Sequence, residues 1–121
     1  GRFTPRAVAP VLHEYLAAAA AQDAPRAHRL LSQNALRANP LAQLDAELAN
    51  RERYGGFVGL RVHRIVQRPP LEGVPVETGQ AIATARYASG VHRRIDAIVE
   101  LENGKWYIRT IAVGAALEDD P

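Results

Sequence analysis

At Gly55-Gly56 the spacing of apolar side chains changes from the roughly 3.6-residue repeat of a helix to the two-residue repeat of a strand. Before the pair, Val8, Val11, Leu12, Tyr15, Leu16 and Ala19 fall on one helical face. After it, Phe57 to Gln67 alternates, with Val58, Leu60, Val62 and Val66 on one side and Arg61, His63 and Gln67 on the other. Neither half can bury its apolar face alone. The glycine pair is therefore read as a helix-to-strand junction inside one domain spanning residues 1–121, with an ordered core over about 5–113 and an acidic tail over 114–121.

Three helix starts carry a capping residue just ahead of proline: Thr4-Pro5, Asp23-Ala24-Pro25 and Asn39-Pro40. An N-cap oxygen satisfies an orphan backbone N–H, and proline is tolerated in the first turn, where its missing N–H has no intrahelical partner anyway. Residues Ala17 to Ala21 of the first helix permit close approach of a neighbour. The second helix turns Ala27, Leu30 and Leu31 inward, and the third carries Leu41, Leu44 and Leu48 before stopping at the glycines. The first strand ends at Pro69-Pro70, and Leu71 to Pro75 reads as an irregular loop. A second strand runs over about Val76 to Ala88, reaching Ser89-Gly90, and a third over Val91 to Glu102. Asn103-Gly104 tolerates the two positive φ angles of a type I′ hairpin turn, and the fourth strand runs over about Lys105 to Val113. The order α-α-α-β-β-β-β predicts an α+β fold: three N-terminal helices packed on a curved four-stranded antiparallel sheet.

Composition narrows the class. Alanine occupies 22 of the 121 positions, and Leu, Ile, Val and Phe together number 30, about a quarter, which is above the disordered range. The longest apolar run, Tyr15 to Ala21, falls far short of the ~20 residues of a membrane span. Without cysteine there is no disulfide, thiol nucleophile or thiolate-held zinc, and the redox compartment stays open. A net charge of +2 does not imply nucleic-acid binding. The chain has no methionine, so the expectation is an upstream segment processed away or a residual tag glycine. A removed signal peptide, a removed membrane anchor and excision from a longer protein all fit. The expected setting is extracytoplasmic (periplasm or cell surface), the cytoplasm being the alternative, with membrane contact only through a segment absent from this chain.

A leading helix that ends in alanines and Gln22-Asp23, a helix at Pro25, a third helix and four long strands together resemble the nuclear-transport-factor-2-like superfamily. The closing segment Asn103-Gly104-Lys105-Trp106-Tyr107-Ile108-Arg109-Thr110-Ile111 is similar to the strand with a "G-x-W-x-I-x-x-I" look on which many members end. The likeness covers roughly Ala7 to Val113 and is one of architecture. It implies a sheet curled into a cone over the first helix, often with a pocket. Members include isomerases, dehydratases and polyketide cyclases. Others are non-catalytic, among them small extracytoplasmic domains of bacterial lipoproteins and membrane-anchored assemblies. The fold alone does not choose between them.

Catalytic members need a tuned acid or base inside the cone. The core-facing parity of the third strand carries Val91, Arg93, Ile95, Ala97, Val99 and Leu101, with no carboxylate, while Asp96, Glu100 and Glu102 fall on the opposite face. A β-bulge would flip that parity and bring Asp96 inside. On the fourth strand, either Trp106, Ile108, Thr110 and Ala112 or Tyr107, Arg109, Ile111 and Val113 face the core. No catalytic residue is assigned.

Two other groups stand out. Tyr15, Arg64, Arg93 and Trp106 at otherwise apolar positions would make a pocket for an anionic small molecule, since guanidinium pairs bidentately with carboxylate or phosphate. The plainer alternative is arginines reaching water from strand ends, with Trp106 a core anchor. Arg61, His63, His92, Arg94 and Arg109 would share the outer sheet face, and the strand half, Phe57 to Val113, carries 8 basic and 5 acidic residues, a net of +3. That face suits a homodimer contact or an acidic protein, against the alternative of a solvated face with cross-strand pairs worth ~0–1 kcal/mol each. His13, His28, His63 and His92 are scattered, and His13-Glu14 lacks the second histidine of a helical zinc motif, so no metal or cofactor is expected. The reading is a non-catalytic binding or protein-interaction module. The alternative is a cone-pocket protein that binds a small molecule or acts as an isomerase, cyclase or dehydratase.

Overall fold

Thr4 caps the first helix as its sequence requires: its Oγ1 accepts from Ala7 N at 3.2 Å, and Pro5 opens α1 (Pro5–Ala20). The computed structural model describes residues 1–37 and 52–117. Val8, Leu12, Tyr15, Leu16 and Ala19 of α1 are buried on one face, as the spacing predicts. Gln22 turns left-handed (φ 57°), and Asp23 Oδ1 then accepts from Arg26 N at 3.2 Å to cap α2 (Ala24–His28). That helix is shorter than its apolar pattern suggests. Leu30 and Leu31 extend it no further, because their backbone pairs with a strand instead: Ile108 N donates to Leu30 O and Ser32 N donates to Ile108 O, each at 2.8 Å. Ser32 then caps α3 (Gln33–Leu36), a turn of helix the periodicity did not indicate. The third helix expected from Asn39-Pro40, with Leu41, Leu44 and Leu48, lies outside the described residues.

The sheet comprises β1 (Phe57–Arg68), β2 (Thr78–Tyr87), β3 (His92–Glu102) and β4 (Lys105–Leu117), antiparallel in the order β1-β2-β3-β4. The fold is thus α+β, with N-terminal helices against a four-stranded antiparallel meander. Strand β4 continues four residues past the expected end of the ordered core, pairing Leu117 with His92, so residues 114–117 are strand rather than tail. Asn103 and Gly104 both adopt positive φ (51° and 77°), as a I′ turn needs.

Register decides which side chains meet. The β2–β3 ladder is regular from Thr78↔Glu100 to Arg86↔His92, so the predicted parity holds there: Arg93, Ile95, Ala97 and Val99 are buried inward. Asp96 stays on the outer face, where it accepts from Gln80 Nε2 at 3.0 and 3.2 Å. The edge strands are different. β1 carries one extra residue between Phe57 and Gly59 and another between Val62 and Arg64. Each bulge switches faces, so the single alternation expected for Val58, Leu60, Val62 and Val66 fails at both ends. Val58 and Val66 are exposed, while Leu60, Val62 and Ile65 pack against the core. β4 bulges between Ile108 and Thr110 and again between Val113 and Ala116, and the first bulge resolves its two-way parity: Trp106 and Ile108 are buried before it and Ile111 after it.

The core joins α1 to alanines of the central strands, Ala81, Ala83, Ala85 and Ala97, all fully buried. Small residues there leave room for Leu12, Tyr15, Leu16 and Tyr87, which are among the largest fully buried side chains. A second junction ties the segment before β1 to the β2–β3 turn, through Ala88 N to Gly56 O at 2.8 Å and Ser89 N to Tyr54 O at 3.2 Å. Gly55 sits there with φ +81°, and a Cβ on it would lie 3.1 Å from Ala88 Cβ. At Gly104, in contrast, a Cβ would meet nothing within 4 Å. Gly104→Ala is therefore expected to cost only the backbone term, about 1 kcal/mol, and Gly55→Ala clearly more. Urea midpoints at unchanged m-value check the order.

Candidate functional site

The inward-facing polar candidates do not form one pocket. Trp106 pairs with Leu101 at one end of β3 and Arg93 with Ala116 at the other. Eight residues of strand separate them, about 27 Å. Arg64 is not inward at all: the bulge at His63 sets it opposite Ile82, exposed on the outer face. Tyr15 is 1% exposed and belongs to the core.

Arg93 does not reach out to water. Its Nε donates to Gly114 O at 2.7 Å, and its guanidinium lies 4.8 Å from the Tyr54 ring centroid and 6.0 Å from that of Tyr87. Such stacking suits a weakly hydrated guanidinium. Arg93 therefore holds the bulged end of β4 and the residues before β1 to the central strands. Trp106 is an anchor as well: its Nε1 donates to Arg2 O at 2.9 Å, and its ring meets Phe3 edge-on at 5.3 Å. Beside it opens a cleft of about 650 Å³ between α1 and the β3–β4 hairpin. Pro10, Val11, Leu30 and Leu101 give it an apolar wall, while Arg2, Arg29 and Lys105 bring positive charge and Glu14 a carboxylate.

The outer face divides into two ends. At the hairpin end it is covered. Asn34 of α3 donates through Nδ2 to Glu100 Oε2 at 3.0 Å and to Val74 O at 3.1 Å, and its Oδ1 accepts from Val74 N at 2.9 Å. Gln33 N donates to Glu102 Oε2 at 2.9 Å. This cover buries Glu100 to 1% exposure, with Arg109 Nη1 3.3 Å from the same Oε2. The strand pattern alone put Glu100 on an open face; what buries it is α3, whose placement follows from the Leu30–Ser32 pairing with β4. Arg109 is thus spent on an intramolecular carboxylate and does not join the other outer-face candidates.

At the opposite end those candidates do converge. The register aligns Arg61, Thr84 and Arg94 in one row across β1, β2 and β3, and Gly59, Arg86 and His92 in the next. His63, displaced by its bulge, meets Thr84 through Nε2 and Oγ1 at 2.6 Å. Arg61, His63, Thr84, Arg86 and His92 line a concavity of about 340 Å³ that also includes Gly59 and Leu60. A Cβ on Gly59 would lie 3.2 Å from Arg86 Nη2, so that guanidinium lies close over the glycine of β1 and a side chain there would crowd it. Among the described residues Arg2 pairs with Glu77, Arg26 with Glu14 and Arg109 with Glu100, whereas Arg61, Arg86 and Arg94 pair with no described carboxylate. Thr84 and Arg86 escaped the sequence reading. The alternation of Gln80, Ile82, Thr84 and Arg86 against Ala81, Ala83, Ala85 and Tyr87 was the signal that places them outward.

No family model, curated protein or solved structure matches this chain. The function has to be argued from the side chains themselves. Among the described residues no group of three or more metal-ligating side chains gathers, and no helix is long and apolar enough to cross a membrane.

The Asn34 contacts give a direct check. Asn34→Ala removes the side-chain partner of both backbone groups of Val74 and leaves buried Glu100 Oε2 with Arg109 alone, and is expected to cost about 2–3 kcal/mol. Hydrogen exchange would show the Val74 amide losing protection before the central strands do.

Proposed function

We propose that this domain is a non-catalytic binding module that docks a negatively charged protein partner on the outer face of its sheet, at the end carrying Arg61, His63, Thr84, Arg86, His92 and Arg94. The observation that supports it is the gathering of three arginines from three adjacent strands with no carboxylate partner among the described residues. Like charges held on one rigid surface repel, and that repulsion is relieved when an acidic surface covers them. Arginine also suits interfaces because its fork pairs bidentately and its plane stacks. A two-fold dimer centred here would set arginines against arginines, so an acidic partner fits better than a second copy. The curled-cone, nuclear-transport-factor-2-like assignment is part of the same proposal. The helix-first order and the bulges confined to edge strands favour it, since bulges add twist and bend a sheet. The extracytoplasmic setting is likewise proposed, on the sequence alone.

A poly-glutamate peptide serves as the probe. Its titration is expected to shift the amides of residues 61, 63, 84, 86, 92 and 94, and to weaken as salt rises. The double variant Arg61→Glu/Arg94→Glu should abolish binding with the melting temperature within about 2 °C of the parent, because surface substitutions change stability little. Arg109→Glu is the control, and an equal loss there would place the docking face elsewhere.

The cleft beside Trp106 favours a second reading, a site for a small amphipathic anion whose apolar tail lies along Val11 and Leu101 and whose head meets Arg29 and Lys105. Trp106 is the only tryptophan. Octanoate should therefore change the protein's fluorescence saturably, and Lys105→Glu should remove most of the change. An unchanged spectrum would eliminate this reading.

A further inference from the structure

The concavity around Thr84 is shaped more narrowly than a generally basic surface requires, and we infer that it is a binding site for a compact tetrahedral dianion of the phosphate-monoester class. This inference rests on the outer-face reading and names the group that the face would recognise.

The row Arg61–Thr84–Arg94 places two arginines on either side of a central threonine, with the flanking strands each about 4.8 Å from β2. The two arginine Cα atoms are therefore about 10 Å apart, a span that two guanidinium groups can close around one small anion. Arg86 enters from the next row, its guanidinium lying over Gly59. His63 and Thr84 are already hydrogen-bonded to each other, and Thr84 is 7% exposed, so its hydroxyl is fixed at the base of the concavity.

Count then separates the possible anions. A carboxylate is planar, and a single arginine fork satisfies it. Guanidinium groups from β1 and β2, Arg61 and Arg86, line the concavity, and Arg94 flanks it in the row of Arg61 and Thr84. The His63–Thr84 pair lies at its base, so donors come from more directions than a planar acceptor can use. A phosphoryl group presents three terminal oxygens in a tetrahedral array and carries close to two negative charges near neutral pH. The volume of about 340 Å³ is near the lower end for small-molecule sites, which suits a phosphate with a short organic substituent. The nearest carboxylate along β3 on this face, Asp96, is two residues from Arg94 and is engaged by Gln80 Nε2 at 3.0 and 3.2 Å, so it does not fill the site from within.

The test uses inorganic phosphate as the probe, followed by amide and imidazole NMR at constant ionic strength in chloride. Saturable shifts confined to Arg61, His63, Thr84, Arg86 and Arg94 are expected, with sulfate competing and acetate at the same concentration inert. Arg86→Gln should weaken phosphate at least tenfold. Gly59→Ala leaves net charge untouched but crowds the Arg86 guanidinium, and it should weaken phosphate several-fold with poly-glutamate binding nearly unchanged. Free phosphoserine and a phosphoserine peptide then distinguish the source: equal affinities mean a free small phosphate, and a much tighter peptide means a phosphorylated chain. Unsaturable shifts, acetate as effective as phosphate, or indifference to both Arg86→Gln and Gly59→Ala would overturn the inference. If poly-glutamate still bound in that case, the outer-face reading would stand without it. Loss of both would remove both.

Discussion

The two central strands run without interruption while both edge strands carry extra residues, and most of what this surface can do follows from that contrast. A regular β2–β3 ladder fixes one set of side chains inward from His92 to Glu100 of β3. A bulge moves every later residue of its strand to the other face. On β1 the bulge at His63 turns Arg64 out, brings His63 beside Thr84, and lets Ile65 rejoin the core. On β4 the bulge past Ile108 moves the apolar positions from Trp106 and Ile108 to Ile111 and Val113 without exposing either pair. Register shifts confined to the edge strands thus reconcile imperfect alternation there with a continuous core.

Legibility in the sequence divides along the same line. The capped helix starts, the α1 face, the Asn103-Gly104 turn and the inward set of β3 were readable because each depends on neighbours within a few residues. The α1 face and the β3 parity needed only a regular period. Arg64 was misplaced because a bulge leaves no local signature in His63 or its neighbours. The side of the sheet that Glu100 takes follows from strand parity, but its burial does not, since the cover comes from α3, 66 residues earlier in the chain. Arg93 illustrates a third kind of limit. Its inward parity was plain, but its partner Tyr54 lies before the glycine pair, and no periodicity links the two.

The functional candidates sorted themselves by the same physics. What each outer-face arginine meets is decided by register: Arg68 donates through Nε and Nη2 to Gln80 Oε1 at 2.9 and 2.7 Å. Arg109 lies next to the buried Glu100 and is consumed by it. Arg61, Arg86 and Arg94 lie where the β2–β3 ladder offers threonine and histidine as neighbours, so their charge remains directed outward. Charge excess alone, a net of +3 over the strand half, could not have made this distinction.

The pairing of Leu30–Ser32 with Ile108 has a consequence for the sheet as a whole. A four-stranded meander has two open edges, and an open edge can accept a strand from another molecule. On β4 the chain places its own backbone against Ile108, occupying both its N–H and its C=O. On β1 the rim is interrupted by two bulges and carries Arg61, Arg64 and Arg68, so an incoming strand finds neither a straight ladder nor a neutral one. Growth of the sheet is therefore obstructed at both margins, and association is left to its faces.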